Sequence, residues 1–155
     1  MKTAVIISDT HGNMSKLTQL YGIFSECDYI IHLGDTSGDG SRIKREFGDK
    51  TILVNGNCDP VKLGEDEVVL NIEGVKIFAT HGHLYSAKTT LTKLYMRGNE
   101  ENCQIVLYGH THRAREDETL GVTLINPGNL SRYSQNSYCY LVINGDKFTS
   151  KIVVI

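Results

Sequence analysis

The stretch "QIVLYGHTHRA", residues 104–114, carries an apolar run to Tyr108 and then sets two histidines one residue apart, His110 and His112. Ile105 to Tyr108 are β-branched, aliphatic or aromatic and read as a buried strand. Gly109 ends that strand. The two histidines beyond it belong either to a polar turn or to a pair of metal ligands. The chain has only six histidines, so two in one turn need an explanation from the rest of the sequence.

The same form recurs four more times. "VIIS" is followed by Asp9, Thr10 and His11, and "YIIHL" by Gly34 and Asp35. "TILVN" is followed by Gly56, Asn57, Cys58 and Asp59, and "KIFAT" by His81, Gly82 and His83. Each signature alone is an ordinary strand exit. In open α/β sheets, however, ligands gather beyond the carboxyl ends of the strands, so the five exits are predicted to meet in one crevice. Five of the six histidines lie in these exits, beside Asp9, Asp35 and Asn57. Without a cation, so many imidazoles and carboxylates together would cost on the order of several kcal/mol in desolvation and repulsion.

Carboxylate, imidazole and one amide oxygen suit Mn²⁺, Fe, Zn²⁺, Co²⁺ or Ni²⁺ better than Ca²⁺ or a zinc–thiolate site. Seven candidate donors exceed what one tetrahedral ion takes. Two ions about 3.5–4 Å apart, bridged by a carboxylate, would use them all. His32, inside "YIIHL", reads as a core or supporting residue rather than a ligand.

The remaining chain supplies a scaffold. In "NMSKLTQLYGIFSE", Leu17, Leu20, Tyr21 and Phe24 fall on one face of a helix. A weaker helix carries Ile43 and Phe47, and another carries Leu91, Leu94 and Tyr95. "EVVLNIEGVKIFAT" reads as two strands joined at Glu73 and Gly74. "SYCYLVINGDKFTSKIVVI" reads as a hairpin whose Asn144-Gly145 pair suits a type I′ turn. The βαβ alternation of the first half, followed by mixed strands, predicts two packed sheets with helices outside. There is no linker, repeat or low-complexity tract, so residues 1–155 are expected to form a single domain.

Composition narrows the function classes. With 40% hydrophobic and 22% charged residues, the chain reads as an ordinary globular protein. Its apolar runs are too short to span a membrane. A formal net charge of −2 argues against an extended nucleic-acid surface but leaves room for a small anionic substrate. Cys27, Cys58, Cys103 and Cys139 show no CxxC spacing and read as reduced thiols. The N-terminus reads as no export signal, so the cytoplasm is the expected location.

"SDTHGN", "HLGD", "GNCD", "THGH" and "YGHTH", in this order, resemble the motifs of the calcineurin-like metallophosphoesterases, and "INPGNLS" extends the likeness. The short length and "GNCD" are most similar to the small bacterial and archaeal phosphodiesterase branch. The resemblance implies a four-layer α/β/β/α sandwich of two mixed sheets flanked by helices, with two divalent metal ions, Mn²⁺ foremost. It assigns Asp9, His11 and His112 to one ion, Asn57, His81 and His110 to the other, and Asp35 as the bridge. It implies hydrolysis of a small phosphate ester by a metal-bridging hydroxide, with Asp35 and Asn57 in the catalytic centre.

The sequence departs from that pattern at Cys58, where most of the family has a histidine credited with phosphate binding or leaving-group protonation. His83 and Asp59 are the substitutes the sequence offers as acid, while Arg113, Arg115 and Arg132 could attract an anion. Two alternatives stay open: a phosphomonoesterase or pyrophosphatase, and a catalytically weak scaffold of the same fold. The strand-rich termini would also permit a homodimer.

Overall fold

The computed structural model describes residues 1–36 and 38–155. β1 (Lys2–Ile7), β2 (Tyr29–His32) and β3 (Thr51–Leu53) run parallel, each reached from the last by helical segments. These are α1 (Met14–Gln19) and α2 (Tyr21–Glu26) in the first crossover and α3 (Asp39–Phe47) in the second. β4 (Glu67–Ile72) and β5 (Val75–Thr80) form a hairpin, and α4 (Thr92–Glu100) leads into β6 (Ile105–Leu107). β7 (Arg115–Thr119) with β8 (Val122–Asn126), and β9 (Ser137–Asn144) with β10 (Lys147–Val154), complete the chain as antiparallel pairs.

The strands make two mixed five-stranded sheets, ordered β10-β9-β1-β2-β3 and β4-β5-β6-β8-β7. Side-chain alternation explains how they stack. Ala4, Ile6 and Ile31 of the first sheet meet Ile77, Ile105 and Leu107 of the second in a shared apolar core. One residue along each strand, the other face looks outward. Val5, Ile7 and Ile30 pack beneath Leu17, Phe24 and Ile43 of α1–α3, while Phe78, Val106 and Leu124 pack beneath Leu94 of α4. The result is the α/β/β/α order, and it buries most strands on both faces, which is why they read as unbroken apolar runs.

Three details differ from the sequence reading. The first helix divides at Leu20, whose N–H bonds to the carbonyl of Leu17, three residues back, instead of four. Leu17, Leu20 and Phe24 remain buried on one face all the same. The C-terminal hairpin turns one residue later than expected, because Asn144 pairs with Lys147 and leaves Gly145-Asp146 as the loop. Of these two, only Gly145 has positive φ, which excludes a type I′ turn. Its position is fixed by the neighbouring turn: Gly145 N–H donates to Glu73 and its carbonyl accepts from Gly74 N–H. Third, β7 and β8 are strands that the sequence reading does not anticipate, since β7 is a charged edge strand without an apolar face.

No helix among the described residues is long and apolar enough to cross a membrane.

Candidate metal centre

The parallel strands end level. Ile7 pairs beside His32, and His32 beside Leu53; in the other sheet Ala79 lies beside Leu107 and Leu107 beside Ile125. The exits are knitted together by their own backbones. Asp9 N–H donates to the carbonyl of Gly34, His11 N–H to that of Asp35, and Gly109 N–H to that of His81. Among the described residues, ten non-glycines have positive φ, and five of them are Asp9, His11, Asp35, His110 and His112. Backbone of that kind persists only where surrounding contacts fix it.

Glycines permit the close approach. A Cβ on Gly109 would lie 2.0 Å from Ser8 Oγ, and one on Gly56 would lie 2.1 Å from Asp35 Oδ1. Both positions therefore exclude any side chain.

Asp9, His11, Asp35 and His112 bring one potential ligand atom each to within 4.8 Å of one another. His112 Nε2 is 3.0 Å from Asp9 Oδ1, and His11 Nε2 is 3.7 Å from the same oxygen. Asp35 Oδ2 lies 3.5 Å from both His11 Nε2 and His81 Nε2, between the two groups of side chains. On the far side, His81 Nε2 is 3.0 Å from Asn57 Oδ1. His110 joins this side through its ring, with its centroid 5.0 Å from that of His81. All seven residues thus meet at one edge of the sandwich, with His110 the most loosely engaged.

The donor atoms fit divalent cations. Each carboxylate has one oxygen held by the protein and one turned inward. Asp9 Oδ2 accepts from Ser8 Oγ and from His110 N–H, and Asp35 Oδ1 accepts from Cys58 N–H. Asp9 Oδ1 and His11 Nε2 are buried with no hydrogen-bond partner, although His112 Nε2 comes to 3.0 Å of Asp9 Oδ1. His81 Nδ1 lies 2.7 Å from the carbonyl of Leu33, which can only accept, so this nitrogen carries the proton. In the neutral ring, Nε2 then points a lone pair at Asn57 Oδ1 and Asp35 Oδ2, three acceptors whose convergence suits a cation.

The electrostatics reflect this crowding. Burial alone would raise the Asp9 carboxyl, but the close approach of His11 and His112 outweighs it and holds the group well below the usual carboxylate range. The nearness of Asp9 raises His11 in return, against a smaller effect of burial. Burial, with His81 nearby, pushes His110 down to about 4. His83 is lowered for the same two reasons.

The remaining candidates take supporting places. Asp59 accepts the backbone N–H groups of Asp35, Thr36 and Gly56, so its oxygens clamp the Asp35 loop. His83 stands 5.4 Å from His81 and 6.2 Å from His110, ring to ring, and its Nδ1 is buried without a partner. Cys58 is exposed, and burial together with the Asp35 charge raises its thiol. His32 is fully buried; it accepts from Gly34 N–H at Nδ1 and therefore donates from Nε2 to Thr10 Oγ1. Arg115 is committed to Asp117 through two bonds of 2.6 Å.

Sequence reading missed the residues that hold the histidine turn. Asn126 Nδ2 donates to the Gly109 carbonyl and to Thr111 Oγ1, and Asn129 Nδ2 donates to the carbonyl of His112. Both asparagines are buried, so "NPGN" braces the histidine turn from beneath. An amide at the end of an apolar run, as at Asn126 after "TLI", was the available signal.

A model of the calcineurin-like phosphoesterase superfamily domain matches residues 1–147, and the chain belongs to that family. It is 34% identical to the probable metallophosphoesterase YsnB of Bacillus subtilis over 94% of this chain and 86% of that one. It is 25% identical to the phosphodiesterase YfcE of Escherichia coli, covering 84% of this chain and 80% of that protein. Among solved structures, a predicted phosphoesterase from Streptococcus pneumoniae superposes with a TM-score of 0.85 at 24% identity, over 99% and 89% of the two chains. Vps29 of Entamoeba histolytica complexed with Zn²⁺ shares the fold at a TM-score of 0.74 and 20% identity, over 98% of each chain. The fold is therefore the metallophosphoesterase fold, and the chain carries a candidate site for the divalent metals of that family.

Proposed function

We propose that this protein is a phosphodiesterase working with two divalent ions, Mn²⁺ foremost. The observation that carries this reading is the pair of buried, unpartnered atoms, Asp9 Oδ1 and His11 Nε2, inside a cluster of four donors spanning no more than 4.8 Å. Asp9, His11 and His112 would hold one ion and Asn57, His81 and His110 the other, with Asp35, placed between His11 and His81, available to both. When bound, such ions supply a water of lowered pKa and countercharge for the phosphoryl oxygens.

The chain's own residues set the geometry. Ser8 and the His110 N–H fix Asp9, while Cys58 N–H and the Asp59 clamp fix Asp35. His83, left over from the ligand set and lowered by burial, is placed to accept the proton that the attacking water gives up and to pass it to the leaving alcohol. The diester preference is supported by the name of the YfcE relative, and a cytoplasmic location by four unpaired cysteines.

The test is hydrolysis of bis(p-nitrophenyl) phosphate and p-nitrophenyl phosphate by metal-stripped protein, before and after Mn²⁺ is restored, with bound metal counted. Turnover only with Mn²⁺, and a higher kcat/KM for the diester, is the expected result. A preference for the monoester overturns the diester assignment. Two bound ions without turnover of either ester point instead to a scaffold protein.

A further inference from the structure

Next to the histidine turn, on the outer face of the second sheet, lies a cavity of ≈ 780 Å³ that the metal centre does not use. That volume is in the range, about 300–1,000 Å³, of small-molecule sites. Tyr108, the residue after β6, lines it together with Lys88, Tyr95, Arg113 and Arg115. Thr111, between His110 and His112 in sequence, is the wall shared with the ligand turn.

Two independent features describe what would enter. The first is charge. No carboxylate lines the cavity, whereas Lys88 and Arg113 both do, and neither has an ion-pair partner among the described residues. Only Arg115 is neutralised, by Asp117. The second is an unmet hydroxyl. Tyr108 is completely buried, yet its phenolic oxygen has no hydrogen-bond partner, a state that native structures avoid unless something else completes it. A basic wall, with an unmet hydroxyl beneath it that a ligand reaches once the lining side chains shift, lies beside the turn of His110 and His112 and fits a phosphorylated group beyond the bond being cleaved.

We propose that this cavity holds the part of the substrate beyond the scissile phosphate, and that this part carries a second phosphate, as in a nucleotide-sized diester. The assignment to substrate rests on the phosphodiesterase reading; the binding site itself does not.

The experiment therefore has two arms. In the first, thymidine 3′,5′-diphosphate is titrated calorimetrically into metal-stripped protein. Binding is expected, weakened about tenfold or more in a Lys88→Ala, Arg113→Ala double variant and about threefold or more in Tyr108→Phe. Tyr108→Phe keeps the ring and removes only the orphan hydroxyl, so its melting temperature should hold or rise. Absence of binding, or equal binding by all three proteins, overturns the site. In the second arm, Mn²⁺-loaded protein hydrolyses thymidine 5′-(p-nitrophenyl phosphate) with and without a 3′-phosphate. The 3′-phosphate should lower KM about fivefold or more, and the double variant should lose that difference. Equal KM values in the unmutated protein, with binding intact in the first arm, overturn the substrate role and leave a site for a free nucleotide. Failure to hydrolyse any ester counts against the phosphodiesterase reading alone, because the first arm requires no turnover.

Discussion

Asp35 is the residue on which the two halves of the site depend. Its Oδ2 is 3.5 Å from a histidine on either side, and its Oδ1 is tied to Cys58 N–H. Without ions, its inward oxygen stands no more than 4.8 Å from that of Asp9. At an effective dielectric of about 20, two like charges that close repel by about 3–4 kcal/mol. Asp35→Asn keeps an acceptor for Cys58 N–H while removing the charge. Turnover with Mn²⁺ should fall by about 100-fold or more, as for loss of a group acting directly on the reacting charge. The melting temperature of the stripped variant should stay level or rise. A variant that melts markedly earlier would instead make Asp35 a structural residue. At this scale the sequence is informative because each candidate ligand follows an apolar run. Beyond the amide that ends "TLI" at Asn126, the bracing by Ser8, Asn126 and Asn129 is not legible, because their work is to hold backbone and side-chain atoms brought close only by folding.

Elements announced themselves according to how they bury their faces. β1, β6 and β8 are covered on both sides and show continuous burial, so apolar content alone could mark them; only β8 escapes a sequence reading, because its partner β7 gives no hairpin signal. The α4–β6 contact depends on a feature sequence does not announce. A Cβ on Gly98 would lie 2.3 Å from Val106 Cγ2, so α4 rides on β6 at a distance only glycine allows. Alanine would favour the helix by about 0.5–1 kcal/mol, whereas forcing an extra methyl into a packed core costs about 1–3 kcal/mol. Overpacking should win. Gly98→Ala is expected to lower the melting temperature by about 2–4 °C per kcal/mol lost, and Val106→Ala should restore part of it in the double variant. A stabilised single variant would mean that α4 can shift outward freely.

For the whole molecule, the acid side of the stability curve reports how the histidines are buried. His32 is wholly buried, and burial lowers it from 6.5 to about 4. Between those values the unfolded chain holds a proton at this position and the folded chain does not, so stability increases with pH there. Read downward, stability is complete above about pH 6.5 and is lost as the pH falls to about 4, by about 3 kcal/mol for His32 alone. His110, also lowered to about 4, adds to the loss in the same window. His11 opposes it, because its raised value stabilises the fold below its unfolded pKa and that contribution disappears as the pH rises through the folded one. Three lowered histidines, His83 included, against one raised should leave the stripped protein melting earlier at pH 4.5 than at pH 7. Bound Mn²⁺ steepens this dependence, since a ligand at about 100 times its Kd stabilises by about 2.7 kcal/mol, and protons compete for the same imidazoles. Thermal melts should therefore show a Mn²⁺ increment of about 5–10 °C at pH 7 that is gone near pH 5. An increment that persisted undiminished at pH 5 would require ions held through carboxylates alone, and would remove the histidines from the ligand set.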